Sequence, residues 1–366
     1  MAINLMTELE ENAPALRIQD YFYVIAGIPK SGKTSLLAGI AKEYFGDLKK
    51  VLLLAFEKGY SALKIRAADI KDWDDFEEYV EQLIDDKEQL GIEIIGLDTL
   101  DVMYNMAEAK VLEEWNLKNP DKRTNDLGVV GSKGKSNSGY GVGHNLVEKK
   151  IRGQVDLLQK AGYGIFGITH SKEKKVEEKS GIEYDQLVLS LPSSAQKVFV
   201  NAADFIVFIN IEKEKIKGSK ELATKRYMYF RTDGFITAGG RFKNMPDRIE
   251  YSIKGFTDTV LHAIESEFDE DTDMKALAEK QDTKRQEKYN KVKEEKDDEE
   301  EEINELQETK DTIKAIVAGL SEKEKNKIKP ILRKGIGTLD YISYDGELQP
   351  LKSVLESLQE QFGERE

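Results

Sequence analysis

At 366 residues, with 39% hydrophobic and 34% charged content, the chain suits a soluble protein with one sizeable core, a smaller second unit and a polar appendage. Cys is absent, which excludes disulfides and thiolate metal sites. No apolar run reaches the length of a membrane span, and the acidic N-terminus MAINLMTELEENAPAL lacks a signal-peptide pattern, so no membrane role and a cytoplasmic setting are expected. The net charge of −14 is unevenly spread, with 28 acidic and 18 basic residues from Ser266 onward and 41 and 37 before it. An acidic total of this kind leaves room for local basic loops that bind nucleic acid.

In chain order, Tyr21 to Ala26 (YFYVIA) predicts a buried strand, and Ser35 to Phe45 (SLLAGIAKEYF) has helical apolar spacing. Between them Gly27 to Thr34 read G-I-P-K-S-G-K-T, a complete G-x-x-x-x-G-K-[ST] phosphate loop in the strand–loop–helix setting that motif requires. Lys50 to Phe56 (KVLLLAF) predicts a second buried strand, ending in Glu57. Residues 73–90 predict a surface helix, and Ile92 to Leu97 a strand closed by Asp98-Thr99-Leu100-Asp101. Ile151 to Ala161 reads as a helix, Tyr163 to Thr169 as a strand ending at His170, and Phe199 to Ala203 as the close of another helix. Asp204 to Ile211 and Lys225 to Arg231 are further strands, leading into a β-rich finish over residues 235–253. Strands alternating with helices predict an α/β fold, a doubly wound, mostly parallel sheet with function at the strands' C-terminal ends.

Two long loops are expected to leave that edge, over residues 116–145 and 171–191. From about residue 266 the chain becomes nearly all charge without a sustained heptad, which reads as a disordered linker or a solvated helix over 266–310. Residues 311–366 recover enough apolar spacing for a small helical domain. The expected organisation is therefore a nucleotide-binding domain over 1–265, the charged linker, and the helical end.

Hydrolysis of a nucleoside triphosphate needs phosphate neutralisation, Mg²⁺ and a positioned water. The loop backbone from Gly27 through Ile28, Pro29, Lys30, Ser31 and Gly32 to Lys33, Thr34 and Ser35 is expected to cradle the phosphates of ATP, with Lys33 reaching the outer ones. Thr34 and Asp98 are the expected Mg²⁺ ligands, with Asp101 a weaker substitute. Glu57 is a candidate for polarising the attacking water. His170 is a candidate sensor of the γ-phosphate that passes its presence to the loop after it. Arg231 and Arg241, flanking the turn TDGFITAGG, are candidate arginine fingers across a subunit interface. The spacing of His144 and His262 assigns them no metal. Lys118, Lys122, Arg123, Lys133, Lys135, Lys149, Lys150 and Arg152, set against Asp121, Asp126 and Glu148, form a basic, Gly-rich stretch with Tyr140 available for stacking, which suits a single-stranded nucleic-acid backbone.

The ordered set GIPKSGKT, LLLAFEKG, IIGLDTLD, GIFGITHSK and ADFIVFI, over roughly residues 20–255, resembles the RecA-type ATPase core, and within it the short phage-encoded RecA-like AAA ATPases, some of which act in recombination and strand annealing. The resemblance implies Glu57 as the catalytic glutamate, Asp98 as the acidic Mg²⁺-site residue, and single-stranded DNA binding through 116–152 and 171–195. His170 stands where that family usually has Gln or Asn. The tail after residue 266 lies outside the resemblance and is a candidate for binding a protein partner. The function expected is an ATP-hydrolysing, oligomer-forming (ring or filament), single-stranded-DNA-binding recombination protein. The alternative is an ATP-dependent ring helicase, loader or protein-remodelling switch using the same site.

Overall fold

The computed structural model describes residues 12–133, 138–177, 181, 183–215 and 222–362, with only the backbone of Glu299 and Glu300. Lys135 of the expected basic stretch lies outside the described residues. Compact packing divides the chain into two units, Met1–Tyr289 and Asn290–Glu366.

The first unit is built on strands β1 (Phe22–Gly27), β2 (Val51–Ala55), β3 (Arg66–Asp69), β4 (Ile94–Asp98), β5 (Gly164–Glu177), β6 (Glu183–Leu189), β7 (Phe205–Lys215), β8 (Leu222–Tyr229), β9 (Gly239–Gly240) and β10 (Arg248–Glu250). The sheet runs β10-β8-β7-β1-β5-β4-β2-β3. β7, β1, β5, β4, β2 and β3 are mutually parallel, and β8 and β10 close one edge antiparallel. The expected mostly parallel α/β sheet is thus present, with β1 at its centre and β5 inserted between β1 and the Asp98 strand.

Alternation along β1 explains why both faces must be covered. Tyr23 and Ile25 point to one face, where they pack with Leu36, Leu37 and Ile40 of helix α1 (Lys33–Gly39) and the π-turn after it, and with Phe256, Val260 and Ile264 of a helix at Ile253–Glu265. Phe22, Val24 and Ala26 are equally buried on the other face. There α2 (Trp73–Asp85), α3 (Leu100–Lys118), α4 (Val142–Lys160) and α5 (Ser193–Ala202) form a second layer, α3 packing on β4 and β5, α4 on β5 and α5 on β1. Asp72 caps α2 by accepting from the Asp75 amide at 2.9 Å. Its buried residues Trp73, Phe76, Val80, Leu83 and Ile84 keep the three- and four-residue spacing of an apolar stripe.

The structure departs from expectation in three places. Residues 100–118 are helical, with Leu100, Met103, Tyr104, Ala107 and Val111 facing inward, and α4 begins at Val142 rather than Ile151. The first loop therefore shrinks to the stretch between Lys118 and Val142. Within the second expected loop, residues 171–177 and 183–189 are strand. β5 continues past His170 to Glu177 and pairs antiparallel with β6; its charged, alternating sequence gives no apolar strand signal because this ribbon stands off the main core. The third, the short edge strand β3, has no counterpart among the expected elements. The expected β-rich finish is present as β9 and β10 and gives way to α6 (Ile253–Glu265), whose Ser252 cap accepts from the Gly255 amide at 3.0 Å.

The charged stretch after 266 takes its helical alternative, as part of α7 (Met274–Ala318). Its first part belongs to the first unit, which is why that unit runs to Tyr289 rather than residue 265. Gln281 accepts from the Leu16 amide at 3.1 Å and donates to the Pro14 carbonyl at 2.8 Å, Arg285 pairs with Asp20 at 2.9 Å, and the Tyr289 hydroxyl donates to the Ile84 carbonyl at 2.9 Å. In the second unit, the rest of α7 joins α8 (Glu322–Ile336) and α9 (Leu348–Phe362) around Ile313, Ile328, Leu332, Leu351, Val354 and Leu358. No helix among the described residues is long and apolar enough to cross a membrane.

Lys87 gives a pH-dependent prediction for the first unit. Its ammonium donates to the Ala161 carbonyl and sits 4.6 Å from the Tyr163 ring centre and 5.3 Å from that of Tyr289. Burial lowers its pKa from 10.5 to about 8. Between those values the unfolded chain holds a proton that the folded chain has lost, so this group's contribution to stability rises with pH there. Thermal melts of wild type and Lys87→Met should therefore converge or cross in favour of wild type between pH 8 and pH 10; a constant difference across that range contradicts the assignment.

Candidate active site

The C-terminal ends of β1, β2 and β4, and β5 where it leaves the main sheet at His170, lie along one edge of the sheet. β1 delivers the phosphate loop, whose Gly27 lies level with Ile209 of β7 and His170 of β5. A side chain at Gly27 is excluded, since a Cβ would fall 2.5 Å from the Ile209 carbonyl oxygen. Gly32, which opens α1, has φ of 100°, a left-handed geometry that glycine adopts at little cost. From that point the α1 amides and the helix dipole face the loop, the arrangement that binds phosphate oxygens.

Lys33 and Thr34, the expected phosphate and cation contacts, are both held at this point by hydrogen bonds. The Lys33 ammonium, 7% exposed, donates to the Gly27 carbonyl at 2.9 Å and the Ile28 carbonyl at 3.1 Å. Burial lowers its pKa, while the fields of Asp98, Asp101 and Glu57 act to raise it. The Thr34 hydroxyl donates to the Asp98 carboxylate at 2.7 Å. Burial pushes the Asp98 carboxyl up. Thr34, Lys33 and His170 act against that rise, and Glu57 adds to it. A cation between Thr34 and Asp98 would offset the carboxylate's charge.

The donor set fits Mg²⁺. It offers one hydroxyl and one carboxylate side by side, both hard oxygens, and Mg²⁺ is usually held by one or two carboxylates together with substrate phosphates. Among the described residues no cluster of three or more His, Asp or Glu forms a metal cage of its own. The nucleotide fit has a second sign, for the Ser31 hydroxyl is fully buried in the loop without a hydrogen-bond partner. A buried hydroxyl without a partner is costly, and a phosphate oxygen would satisfy it.

Glu57 is tied to the same point through its backbone. The Phe56 and Glu57 amides both donate to the Asp98 carbonyl, at 2.7 and 3.2 Å. Its exposed carboxylate acts on both Lys33 and Asp98. His170 Nδ1 lies 3.2 Å from Asp101 Oδ2. With the Nδ1–H directed at that carboxylate, Nε2 is left for another partner. Asp101, expected only as a substitute for Asp98, thus orients His170.

Arg231 and Arg241 line no part of this site. Arg231 donates to the Met245 carbonyl at 2.9 Å and to that of Lys243; Arg241 pairs with Asp204 at 3.1 Å and donates to the Asn201 and Ala202 carbonyls. Both hold loops at the strand ends opposite the phosphate loop, since Gly240 lies level with Phe205 at the start of β7. Within one chain they act as loop anchors, away from that chain's own phosphate loop. The arginine that reaches the loop is Arg226 on β8. Its Nη1 lies 2.7 Å from where a Gly32 Cβ would be, its guanidinium stacks 4.8 Å from the Tyr251 ring centre, and the Tyr251 hydroxyl donates to the Gly32 carbonyl at 2.9 Å. Sequence spacing gives no signal for either residue, because they arrive through antiparallel pairing of β8 with β7 some two hundred residues downstream.

The expected basic stretch is only partly available. Lys122 donates to the Ser132 carbonyl at 3.1 Å, and Lys150 pairs with Glu114 at 2.8 Å and Glu77 at 3.8 Å. Arg123, Lys133, Lys149 and Arg152 are exposed, and Tyr140 is 89% exposed.

Comparison with curated proteins gives no match. Among solved structures the chain is similar to a KaiC-like protein from the hyperthermophilic archaeon Pyrococcus horikoshii OT3, at 9% identity and a TM-score of 0.33, over 64% of this chain and 91% of that one. A family model described as AAA domain matches residues 19–242, from the start of β1 through β9, including every residue of the phosphate loop with Glu57, Asp98 and His170. That match covers more than half of the chain, which therefore belongs to the AAA domain family, with a P-loop ATPase core.

Proposed function

We propose that this chain is an ATP-hydrolysing, single-stranded-DNA-binding protein that acts in recombination, by strand annealing or exchange. The observation that carries the reading is β5. It places His170 beside the phosphate loop and, without a break, becomes the hairpin strand that bears exposed Lys172, Lys174 and Lys175. One continuous element therefore runs from the nucleotide site to a basic surface, which is what coupling between ATP and DNA requires.

In this reading the phosphate-loop amides, Lys33 and the Ser31 hydroxyl bind and orient the triphosphate. Thr34 and Asp98 hold Mg²⁺, which when bound neutralises charge building on the phosphates. Glu57 takes the proton of the attacking water, Asp101 fixes the His170 ring, and His170 reports the γ-phosphate to the hairpin. The exposed Arg123, Lys133, Lys149, Arg152 and Tyr140 add a second DNA contact. Protomers assemble as a ring or filament with ATP between them, and the acidic 266–366 region serves as an appendage for a protein partner. Imaging by negative-stain electron microscopy is expected to show ordered assemblies on single-stranded DNA with Mg²⁺ and a non-hydrolysable ATP analogue, and none without nucleotide. Isolated protomers under both conditions would count against this reading.

A further inference from the structure

Beyond His170, β5 and β6 form a ribbon in register from Ser171 opposite Leu189 to Glu177 opposite Glu183. Residues directly opposed in such a ribbon share a face, and faces alternate along each strand. One face carries Lys172, Lys174 and Val176 opposite Val188, Gln186 and Tyr184. The other carries Glu173, Lys175 and Glu177 opposite Leu187, Asp185 and Glu183. Every carboxylate of the ribbon's described residues is on the second face, while two of its three lysines and its one aromatic ring are on the first.

A second segment completes the first face. The Leu187 amide donates to the Phe235 carbonyl at 2.7 Å, the Thr237 amide donates to the Leu187 carbonyl at 3.2 Å, and Leu187 and Ile236 form a parallel bridge. Ile236, paired with Leu187 on the second face, is 3% exposed. Phe235, one residue earlier, emerges on the lysine face, where its ring meets that of Tyr184 edge-on with centroids 5.5 Å apart. Gln186 on the same face donates to the Gly234 carbonyl at 3.0 Å. Phe235 is 58% exposed. Single exposed apolar side chains are ordinary, but this one is held on a clamped turn. Asp233 accepts from the Phe235 and Ile236 amides at 2.9 Å each, and the Thr232 hydroxyl bonds both the carbonyl and the amide of Ala238, at 2.6 and 3.2 Å.

We infer that this face is a built contact surface for single-stranded nucleic acid, with Phe235, backed by Tyr184, as a stacking platform for a base and Lys172 and Lys174 as contacts for the phosphate backbone. The two lysines stand about 7 Å apart along the strand, so both reach the same extended polyanion. The sorting of charge directs that polyanion to one side of the ribbon, and the fixed ring supplies the sequence-tolerant stacking that single-strand binders use. An acidic protein segment would use the lysines and leave the ring without a planar partner. The inference rests on the proposed function for the identity of the partner, and adds the face and the residues.

The test is fluorescence anisotropy of labelled oligothymidylate titrated with the full chain over a salt series. Phe235→Ala should weaken binding about tenfold, within the range expected for one base–aromatic stack. Lys172→Gln with Lys174→Gln should lower the slope of log affinity against log salt by about 1.4, the value for two phosphates no longer neutralised. Lys175→Gln, which removes the same charge from the other face, should change neither. Unchanged melting temperatures would show that the exposed substitutions leave the fold intact. If wild type binds and Phe235→Ala binds equally well, or if Lys175→Gln weakens binding as much as the Lys172 and Lys174 pair, the surface is misassigned while the proposed function stands. Equal competition by polyglutamate and unlabelled oligothymidylate would mark a generic polyanion site and also overturn it. No binding by wild type under any condition removes both readings.

Discussion

Glu57→Gln is expected to bind MgATP about as tightly as wild type and to hydrolyse it about 100- to 10,000-fold more slowly, the range typical of losing a positioned general base. Gln keeps the size of Glu57 and leaves its backbone bond to the Asp98 carbonyl untouched. The geometry of Lys33, Thr34 and Asp98 should therefore survive, and only the proton acceptor is removed. The Thr34 and Asp98 oxygens that would hold the cation keep their hydrogen bond, so cation binding should change little. Single-turnover hydrolysis alongside a nucleotide titration separates the two effects. A fall in affinity with little change in the chemical step would show that Glu57 binds rather than activates.

Lys33→Ala should abolish measurable hydrolysis and weaken nucleotide binding by at least tenfold, since charge-assisted hydrogen bonds to phosphate contribute about 1.5–3 kcal/mol each. Its apo stability should hardly change. Burial already disfavours the Lys33 ammonium, and its two hydrogen bonds end on loop carbonyls that water can solvate in its place. Melting temperature and nucleotide titration together test this. A variant that loses stability as well as binding would mean that Lys33 holds the loop together, and a variant that keeps near-wild-type hydrolysis would remove it from the site.

The candidate site is legible in the sequence where strand and motif coincide. The phosphate loop, Glu57, Asp98 and His170 each follow an apolar run, and parallel strands necessarily bring their C-terminal ends to one edge. Asp101 is visible there too, but not its partner, because an Asp three residues after Asp98 lies on the first turn of a helix and turns toward β5. Arg226 and Tyr251 are illegible, since their place depends on β8 and the chain after β10 folding back antiparallel across β7. The same limit hides the contacts that Arg231 and Arg241 make within the chain, with backbone carbonyls and with Asp204. The hairpin after His170 reads as a loop because its strands alternate charge with charge, and only the pairing register reveals that the charges are sorted by face.

The most direct test of the account is the steady-state rate of ATP hydrolysis by the purified full chain with Mg²⁺, with and without single-stranded DNA, using Lys33→Ala as the blank. The account predicts hydrolysis that rises several-fold on adding DNA and is absent in the blank under both conditions. Hydrolysis that DNA leaves unchanged would contradict the coupling through β5 and favour a protein client for the same site.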